Sequence, residues 1–299
     1  MRKQLAVGAV AVAGVVAARR LAPGRLKPRL RQLRTRVVYE LLSTLVPESI
    51  AFTNYGYAAL DGASGATLAL APEDEPQRYG MQLYHAVAGQ VDLQGKDVLE
   101  VGCGRGGGAA FVARYLAPRS VVGIDIAARA IAYARAHQQA EGLSFALGDA
   151  EHIPFPSASF DAVVNVESSH SYPSMEGFLA EVRRVLRPGG ALLFADMRAR
   201  GDVARLRQQF EAAGFEVAQE EPITAQVVRA LELDSRRRVA MIEESVPKPL
   251  RRAAWEFTGA ESTGNFRNLR DGRWEYVRLV ARKPAEPARE TAGAAARSA

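Results

Sequence analysis

The sequence predicts an α/β fold in which a seven-stranded sheet carries helices on both of its faces. From residue 97 onward, apolar runs typical of buried strands alternate with segments of helical character, which is the pattern of a parallel sheet. A glycine cluster at 102–108 ends the first of these strands and begins the first of these helices. The chain of 299 residues is 48% hydrophobic, which is enough for one large domain with a substantial core.

The predicted elements follow one another at short intervals. Strands are expected at 97–102, 120–126, 143–148, 160–167, 190–196, 215–222 and 274–282, and helices at 106–117, 127–141, 174–187 and 201–213. A further helix is expected at 77–90, before the first strand. Residues 223–272 are too many for an ordinary loop and include a predicted helix at 225–245, so we expect an inserted lid above the carboxyl ends of the strands. We assign residues 37–283 to this domain.

Positive charge is concentrated at the N-terminus. Residues 1–39 hold ten Lys or Arg and no acidic residue, whereas the net charge of the whole chain is +6, so the remainder is mildly acidic. The high isoelectric point is therefore no argument for a nucleic-acid partner. The apolar run at 5–18 is shorter than the roughly 20 residues of a spanning helix. We interpret residues 1–36 as a leader that attaches a cytoplasmic protein to the inner face of the membrane, or as a basic extension without function.

Composition excludes several other classes of site. Cys103 is the single cysteine, which excludes an intramolecular disulfide and a cysteine-rich metal site. The four histidines lack the spacing of metal ligands, so no metal is expected. Residues 284–299 are rich in Ala, Pro, Glu and Arg, a low-complexity composition that predicts a disordered tail.

The glycine cluster matches a nucleotide-binding motif. Gly102, Gly104 and Gly107 have the spacing of the dinucleotide fingerprint, and Asp125 ends the second strand, where a carboxylate suits the hydroxyls of a ribose. Glycine is needed in such a turn because a Cβ would keep the backbone away from the ligand. This motif alone leaves both an NAD enzyme and an S-adenosylmethionine (SAM) enzyme open.

Four further features favour SAM. Glu100 precedes the glycines in the run Glu-Val-Gly-Cys-Gly-Arg-Gly, and Gly-Asp-Ala at 148–150 ends the third strand. Phe-Asp-Ala-Val-Val-Asn-Val-Glu at 160–167 forms the fourth strand, and Leu-Arg-Pro-Gly-Gly at 186–190 precedes the fifth. In this order and spacing, the features resemble those of class I SAM-dependent methyltransferases. The resemblance implies a Rossmann-like, doubly wound sheet of seven strands and SAM as the cofactor.

A more specific resemblance is to the mycobacterial phthiotriol/phenolphthiotriol dimycocerosates methyltransferases. The matching segments are 83–85, 91–93, the glycine cluster, 166–173, 178–182 and 195–198, and the resemblance extends over residues 45–283. Members of that family O-methylate a hydroxyl on a long-chain lipid. The chain is more distantly similar to sugar O-methyltransferases of antibiotic pathways and to sterol C-methyltransferases.

The resemblance implies a set of cofactor-binding residues. Those expected around the methionine part of SAM are Glu100, Gly102, Gly104 and Gly106. Those expected at the ribose and the adenine are Asp125, Ile126, Asp149 and Ala150. Glu167, at the end of the fourth strand, is expected to reach the amino group of the cofactor or the acceptor.

His170 and Asp196 are the predicted catalytic pair. His170 follows the fourth strand at the carboxyl edge of the sheet, and an imidazole suits removal of a hydroxyl proton at neutral pH. Asp196 ends the fifth strand, from which a carboxylate could orient the imidazole and stabilise its protonated form. In the sugar O-methyltransferases, a His and an Asp at these places act as such a pair. The residues expected to line the acceptor site are Tyr57, His85, Tyr172 and Trp255.

The sequence therefore predicts a SAM-dependent O-methyltransferase that acts on a hydroxyl of a hydrophobic lipid or polyketide-type acceptor. C-methylation of a sterol-like or isoprenoid acceptor is the first alternative, since a base on the same loop serves either chemistry. A non-catalytic SAM-binding scaffold is the second, and an NAD dehydrogenase is the third. The oligomeric state and the acceptor itself are not predicted.

Overall fold

The computed structural model describes Glu40, residues 50–60 and residues 68–285. The predicted leader at 1–36 lies outside the described residues, as does the predicted tail from residue 286 onward. Within the described part of the chain, no helix combines the length and the apolar character that crossing a bilayer requires.

All seven predicted strands are present and form one sheet. They are β1 Asp97–Val101, β2 Ser120–Asp125, β3 Leu143–Leu147, β4 Phe160–Val166, β5 Leu186–Ala199, β6 Glu216–Pro222 and β7 Trp274–Arg282. Their order across the sheet is β3-β2-β1-β4-β5-β7-β6. The first five pair in parallel, whereas β7 is antiparallel to both β5 and β6. The predicted Rossmann-like, doubly wound fold is therefore confirmed.

The helices flank this sheet. They are α1 Arg78–Ala88, α2 Gly107–Tyr115, α3 Ala128–His137, α4 Met175–Val185, α5 Val203–Ala212, α6 Thr224–Ser245, α7 Lys248–Thr258 and α8 Gly264–Arg270. The largest differences from prediction are at the end of α3, which stops at His137 and not at residue 141, and at the start of β5, which begins at Leu186 and not at residue 190. The run after α4 belongs to β5, since the amide of Gly189 donates to Lys283 and the amide of Lys283 donates to Gly190.

Alternating side chains of the central strands build a core on each face of the sheet. Val98 of β1 and Val164 of β4 pack into the cluster that includes residues of α1 and α2. Leu99 and Val163, the neighbouring residues, pack into the cluster that includes residues of α4 and α5. This period of two is that of a strand buried on both faces, which explains the continuous apolar runs in the sequence.

The insert between β6 and β7 consists of α6, α7 and α8. Because β7 starts beside the end of β5, with Trp274 opposite Ala199, the insert leaves and re-enters the sheet at its carboxyl edge. A buried ion pair holds it there: Arg238 Nε lies 2.9 Å from Asp234 Oδ2, with side chains only 7% and 4% exposed. Arg238 also donates to the backbone carbonyls of Asn54, Tyr55 and Thr258. One guanidinium thus joins α6, α7 and the segment 50–58.

We expect Asp234→Ala to lower the free energy of unfolding by about 3 kcal/mol, because it leaves the Arg238 guanidinium buried without its carboxylate. Urea unfolding followed by circular dichroism measures this. Glu232→Ala is the matched control, since its pair with Arg229 is on the same helix but 38% exposed on both sides. That control should cost less than about 1 kcal/mol. Equal costs for the two variants would contradict a stabilising role of the buried pair.

Candidate active site

The glycine loop after β1 turns in the left-handed region of φ, which favours glycine. The φ angles of Gly102, Gly104 and Gly106 are 75°, 52° and 78°. A Cβ on Gly102 would lie 2.6 Å from Ser168 Oγ, and one on Gly106 would lie 2.6 Å from the Phe145 ring. A Cβ on Gly104 would meet no atom of the described residues within 4 Å. Gly102 and Gly106 therefore pack against the protein, whereas Gly104 faces the open space in which a ligand can approach the backbone.

Asp125 holds the glycine loop against the end of β2. Its Oδ2 accepts from the amide of Gly104 at 2.9 Å, and its Oδ1 accepts from the amide of Ala127 at 2.8 Å. Burial raises the pKa of this carboxyl above its ordinary value, although the backbone amides of Ala127, Gly104 and Ile126 act in the opposite direction. A carboxylate has about four acceptor sites, so it can still accept from a ribose hydroxyl. Ile126, the next residue, is half-buried beside it.

Asp149 lies at the same edge, two residues beyond the end of β3. β2 and β3 are parallel neighbours, with Asp125 opposite Leu147. Asp149 Oδ1 accepts from the amide of Glu151 at 3.0 Å, and both Asp149 and Ala150 are half-buried. The structure therefore brings the predicted ribose and adenine residues to neighbouring strand ends, as the parallel pairing requires.

Glu100 is a buried carboxylate beneath the glycine loop. It is 1% exposed, and its Oε1 accepts from the Tyr84 hydroxyl at 2.5 Å. Its Oε2 is buried and has no hydrogen-bond donor among the described residues. Burial raises the pKa of Glu100 to about 7, although the Tyr84 hydroxyl and the Ala109 amide lower it.

Sequence reasoning placed Tyr84 on the predicted helix at 77–90 but did not anticipate its contact with Glu100, and it selected the neighbouring His85 for the acceptor site. The structure shows that His85 is exposed on α1, whose buried side carries Met81, Leu83 and Tyr84. The expectation that His85 lines the acceptor site is therefore not supported by its position. The signal for Tyr84 was its helical phase, since it lies three residues after the buried Met81.

Glu167, the residue directly after β4, has a strained backbone conformation. Its φ is 48°, which is rare for a residue with a side chain. Its Oε1 accepts from the amide of Tyr55 at 2.7 Å and from the Tyr276 hydroxyl at 2.9 Å. Burial raises the pKa of this carboxyl to about 7. Glu167 thus ties the segment 50–58 to β4 and β7, a structural role that sequence reasoning did not anticipate.

His170 and Asp196 are in direct contact, as predicted. His170 lies in a short 3₁₀ turn, Ser169–Ser171, and its Nδ1 is 2.8 Å from Asp196 Oδ1. The backbone amide of His170 donates to Asp196 Oδ2 at 2.8 Å, and the Ser169 hydroxyl donates to the same oxygen at 2.6 Å. Arg198 Nη1 lies 3.2 Å from this oxygen. The turn and the end of β5 are therefore locked together through one carboxylate.

The charge of Asp196 sets the state of the imidazole. Burial would raise the pKa of Asp196, but the charges of His170 and Arg198 and the hydrogen bonds to it hold that pKa well below its usual range. Burial would lower the pKa of His170, but the charge of Asp196 outweighs this and raises it above 6.5. A carboxylate only accepts, so Nδ1 carries the proton in the neutral ring. The lone pair then lies on Nε2, and the His170 side chain is 32% exposed.

His170 lies in the wall of a cavity of about 410 Å³. The lining residues are Ser169, His170, Met175, Met197, Arg198, Ala199, Asp202, Arg205, Gln209 and Trp274. Trp274 reaches this wall because the antiparallel pairing sets it opposite Ala199 at the end of β5. The predicted tryptophan was Trp255, which instead packs with Ile242 and Val246 between α6 and α7. Trp255 is not among the residues that line this cavity.

The two predicted tyrosines have other neighbours. Tyr172 directs its hydroxyl beneath Gly102, 2.9 Å from both Asn165 Nδ2 and Ser168 Oγ. It therefore supports the glycine loop from below. Tyr57 is half-buried against the core, and its amide donates to the carbonyl of Tyr79 at 3.0 Å. The turn after β4 thus touches the glycine loop through Ser168 and Tyr172, and β5 through His170.

Sequence comparisons give known relatives over almost the whole chain. A family model described as a methyltransferase domain matches residues 99–194. The chain is 38% identical over 273 residues to the fatty-acid O-methyltransferase of Mycolicibacterium smegmatis, covering 91% of this chain and 98% of the relative. It is 40% identical over 229 residues to the phthiotriol/phenolphthiotriol dimycocerosates methyltransferase of Mycobacterium tuberculosis, covering 77% and 84%.

Solved structures share the fold at lower identity. The [4+2]-cyclase SpnF is similar with a TM-score of 0.64 and 24% identity, covering 85% of this chain and 96% of that chain. Geranyl diphosphate C-methyltransferase from Streptomyces coelicolor, solved with S-adenosylhomocysteine, has a TM-score of 0.57 and 15% identity, covering 83% and 98%. A cyclase and a methyltransferase share this architecture, so these likenesses describe the fold alone.

The site has the features that SAM requires. Gly104 presents open backbone at the carboxyl edge, and Asp125 keeps free lone pairs beside it. The unpaired Oε2 of Glu100 offers a negative charge to a cationic ligand. Glu100, Gly104, Asp125 and Asp149 would hold the cofactor, which supplies an electrophilic methyl group on sulfur.

We expect Gly104→Ala to abolish measurable SAM binding while the protein stays folded, because the methyl group would project into the ligand space. Gly189→Ala is the matched control, since both positions have positive φ and open space around the added Cβ. Each substitution should cost about 1–2 kcal/mol of stability from backbone strain. Calorimetric titration with SAM and thermal unfolding measure the two effects. Wild-type SAM affinity in Gly104→Ala would place the cofactor elsewhere.

The family is set by sequence identity and not by the fold. Identity of 38% over nearly the full length of both chains is far above what shared architecture alone produces in the solved structures. The strand order and the glycine loop agree with it. The resemblance predicted from the motifs is confirmed: the chain belongs to the class I SAM-dependent methyltransferases and is an enzyme of that family.

Proposed function

We propose that this enzyme transfers the methyl group of SAM to a hydroxyl oxygen of a hydrophobic lipid acceptor, with His170 as the general base. The observation that carries the proposal is the His170–Asp196 contact of 2.8 Å in the wall of the cavity. It leaves an unprotonated Nε2 on a partly exposed ring, which is the arrangement that a base for a neutral hydroxyl needs.

The relatives support a lipid as the acceptor class. Two of them carry names that specify a fatty acid and phthiotriol dimycocerosates as what they methylate. Met175, Met197 and Trp274 contribute apolar surface to the wall of the cavity beside His170, and this part of the wall suits an apolar acceptor. The charged residues of the same wall are Arg198, Asp202 and Arg205. Methionine and tryptophan suit a flexible alkyl chain, which makes many weak contacts and few directed ones.

His170, Asp196 and the two residues that hold Asp196 have separate roles in the proposed methyl transfer. His170 accepts the hydroxyl proton at Nε2 as the oxygen forms its bond to the methyl carbon. Asp196 holds the ring by Nδ1 and stabilises the imidazolium that results. Ser169 and Arg198 hold Asp196 in turn, since Arg198 Nη2 donates to Ser169 Oγ at 2.7 Å and Nη1 lies beside the carboxylate. This support restricts the imidazole to one orientation, which favours a defined angle of attack.

We expect radiolabelled methyl from SAM to enter the organic phase when the enzyme is incubated with a lipid extract of host cells. Mild alkali distinguishes the products, because a methyl ether survives it and a methyl ester does not. Alkali-stable label that boiling hydriodic acid releases would support hydroxyl methylation. Ester label would contradict it in favour of a carboxyl acceptor, acid-stable label would show C-methylation, and label confined to water would contradict a lipid acceptor.

We expect His170→Ala to lower kcat for the hydroxyl acceptor by about 10²- to 10⁴-fold with unchanged SAM affinity. Wild-type kcat should fall on the acidic side, with a midpoint above 6.5, because the charge of Asp196 raises the pKa of His170 and the base must be unprotonated. Asp196→Asn should move that midpoint to lower pH, since it removes the negative charge.

His137→Ala serves as the control for removal of a histidine, because His137 is exposed and stacks on Tyr133 at the end of α3. Steady-state kinetics across the pH range measure all three variants. A His170→Ala enzyme that keeps more than about a tenth of wild-type kcat would contradict the assignment of the base.

A further inference from the structure

Tyr84 occupies a notch that Gly108 leaves in the first turn of α2. A Cβ on Gly108 would overlap the Tyr84 ring and approach its hydroxyl oxygen. On another side the ring meets Phe52 edge-on, with the ring centroids 5.8 Å apart. Tyr84 is 6% exposed, so its position is set by packing. No other residue than glycine at position 108 admits the ring without displacement.

The notch places the Tyr84 hydroxyl on one oxygen of Glu100 and leaves the other oxygen unpaired. Oε1 accepts from the hydroxyl at 2.5 Å, whereas Oε2 is buried with no donor among the described residues. An unpaired buried carboxylate oxygen is costly, and a cationic ligand group would relieve that cost. The open face at Gly104, four residues along the same loop, is the space from which such a group can approach.

We propose that Tyr84 is a positioning residue for the cofactor: it holds the Glu100 carboxylate with one oxygen free for the cationic part of SAM, and Gly108 is required to admit its ring. The proposal concerns affinity for the cofactor. It stands apart from the identity of the acceptor and from the role of His170.

The charges around this pair determine how SAM binding depends on pH. Burial raises the pKa of Glu100 to about 7, whereas the Tyr84 hydroxyl and the Ala109 amide lower it by stabilising the carboxylate. Asp125 raises the pKa of Glu100 through its negative charge. Cys103 and Glu167 in turn raise the pKa of Tyr84. A cation binds the carboxylate form, so SAM affinity should rise with pH through neutrality. Removing the hydroxyl should move this rise to higher pH.

The test is calorimetric titration of the full-length protein with SAM between about pH 6 and pH 8.5. We expect Tyr84→Phe to raise Kd about tenfold at pH 7, as the loss of a hydrogen bond to a charged group implies, and by less at the alkaline end. The pH midpoint of binding should move upward. Glu100→Gln should abolish this pH dependence, which separates Glu100 from Glu167, whose pKa is also about 7.

Two further variants test whether the shift is specific to the contact between Tyr84 and Glu100. Tyr115→Phe removes a matched hydroxyl–carboxylate bond, 2.5 Å to Asp74, at the far end of α2, and should leave the pH midpoint in place. Gly108→Ala should reproduce the shift of Tyr84→Phe, with thermal unfolding confirming that the variant is folded. A Tyr84→Phe curve of Kd against pH that superimposes on the wild-type curve would overturn the proposal, as would a Glu100→Gln protein with wild-type pH dependence.

Discussion

The reversal of strand order between β1 and β4 is the constraint on which the site depends. β2 and β3 lie on one side of β1, and β4 and β5 lie on the other. The loops that leave β1 and β4 therefore run toward opposite faces and open a crevice between them. The glycine loop fills one side of that crevice and the turn of Ser169–Ser171 fills the other. They touch where Ser168 and Tyr172 lie beneath Gly102, so the cofactor residues and the proposed base share one boundary.

Three of the carboxylates at this edge, Glu100, Glu167 and Asp196, differ in their neighbours and therefore in their pKa. Asp196 has a guanidinium and an imidazole beside it, and its pKa is held far below the usual range. In the described part of the chain, Glu100 and Glu167 have hydroxyl and amide donors but no cation in hydrogen-bond contact, and burial raises the pKa of each to about 7. Asp196 contributes stability above the unfolded pKa of an aspartate, whereas the two glutamates lose stability as the pH rises from their unfolded pKa toward 7. A cationic ligand that binds the Glu100 carboxylate would offset this loss of stability.

The segment 50–58 and the insert form a second layer over this edge. Arg238 fixes both to one buried guanidinium, and Glu167 fixes the same segment to β4 through the amide of Tyr55. The amide of Ala58 donates to Gln226 at the start of α6, which closes the connection. Glu167 directly follows β4, so this layer is tied to the strand end that precedes His170.

The sequence by itself determined the fold and the cofactor class, and it identified the polar residues that lie at the carboxyl ends of β1 to β5. Apolar periodicity and glycine turns are local signals, and parallel pairing brings every strand end to one edge, so Glu100, Asp125 and Asp149 could be placed without coordinates. The contact of His170 with Asp196 followed from the adjacency of β4 and β5. Tertiary structure alone decided which aromatic residues surround the site. Tyr84, and not His85, faces the glycine loop because the phase of α1 directs its ring toward Gly108. Trp274 lines the cavity because the antiparallel register places it opposite Ala199, 75 residues earlier in the chain. Such pairings depend on packing between distant segments, which no local pattern encodes.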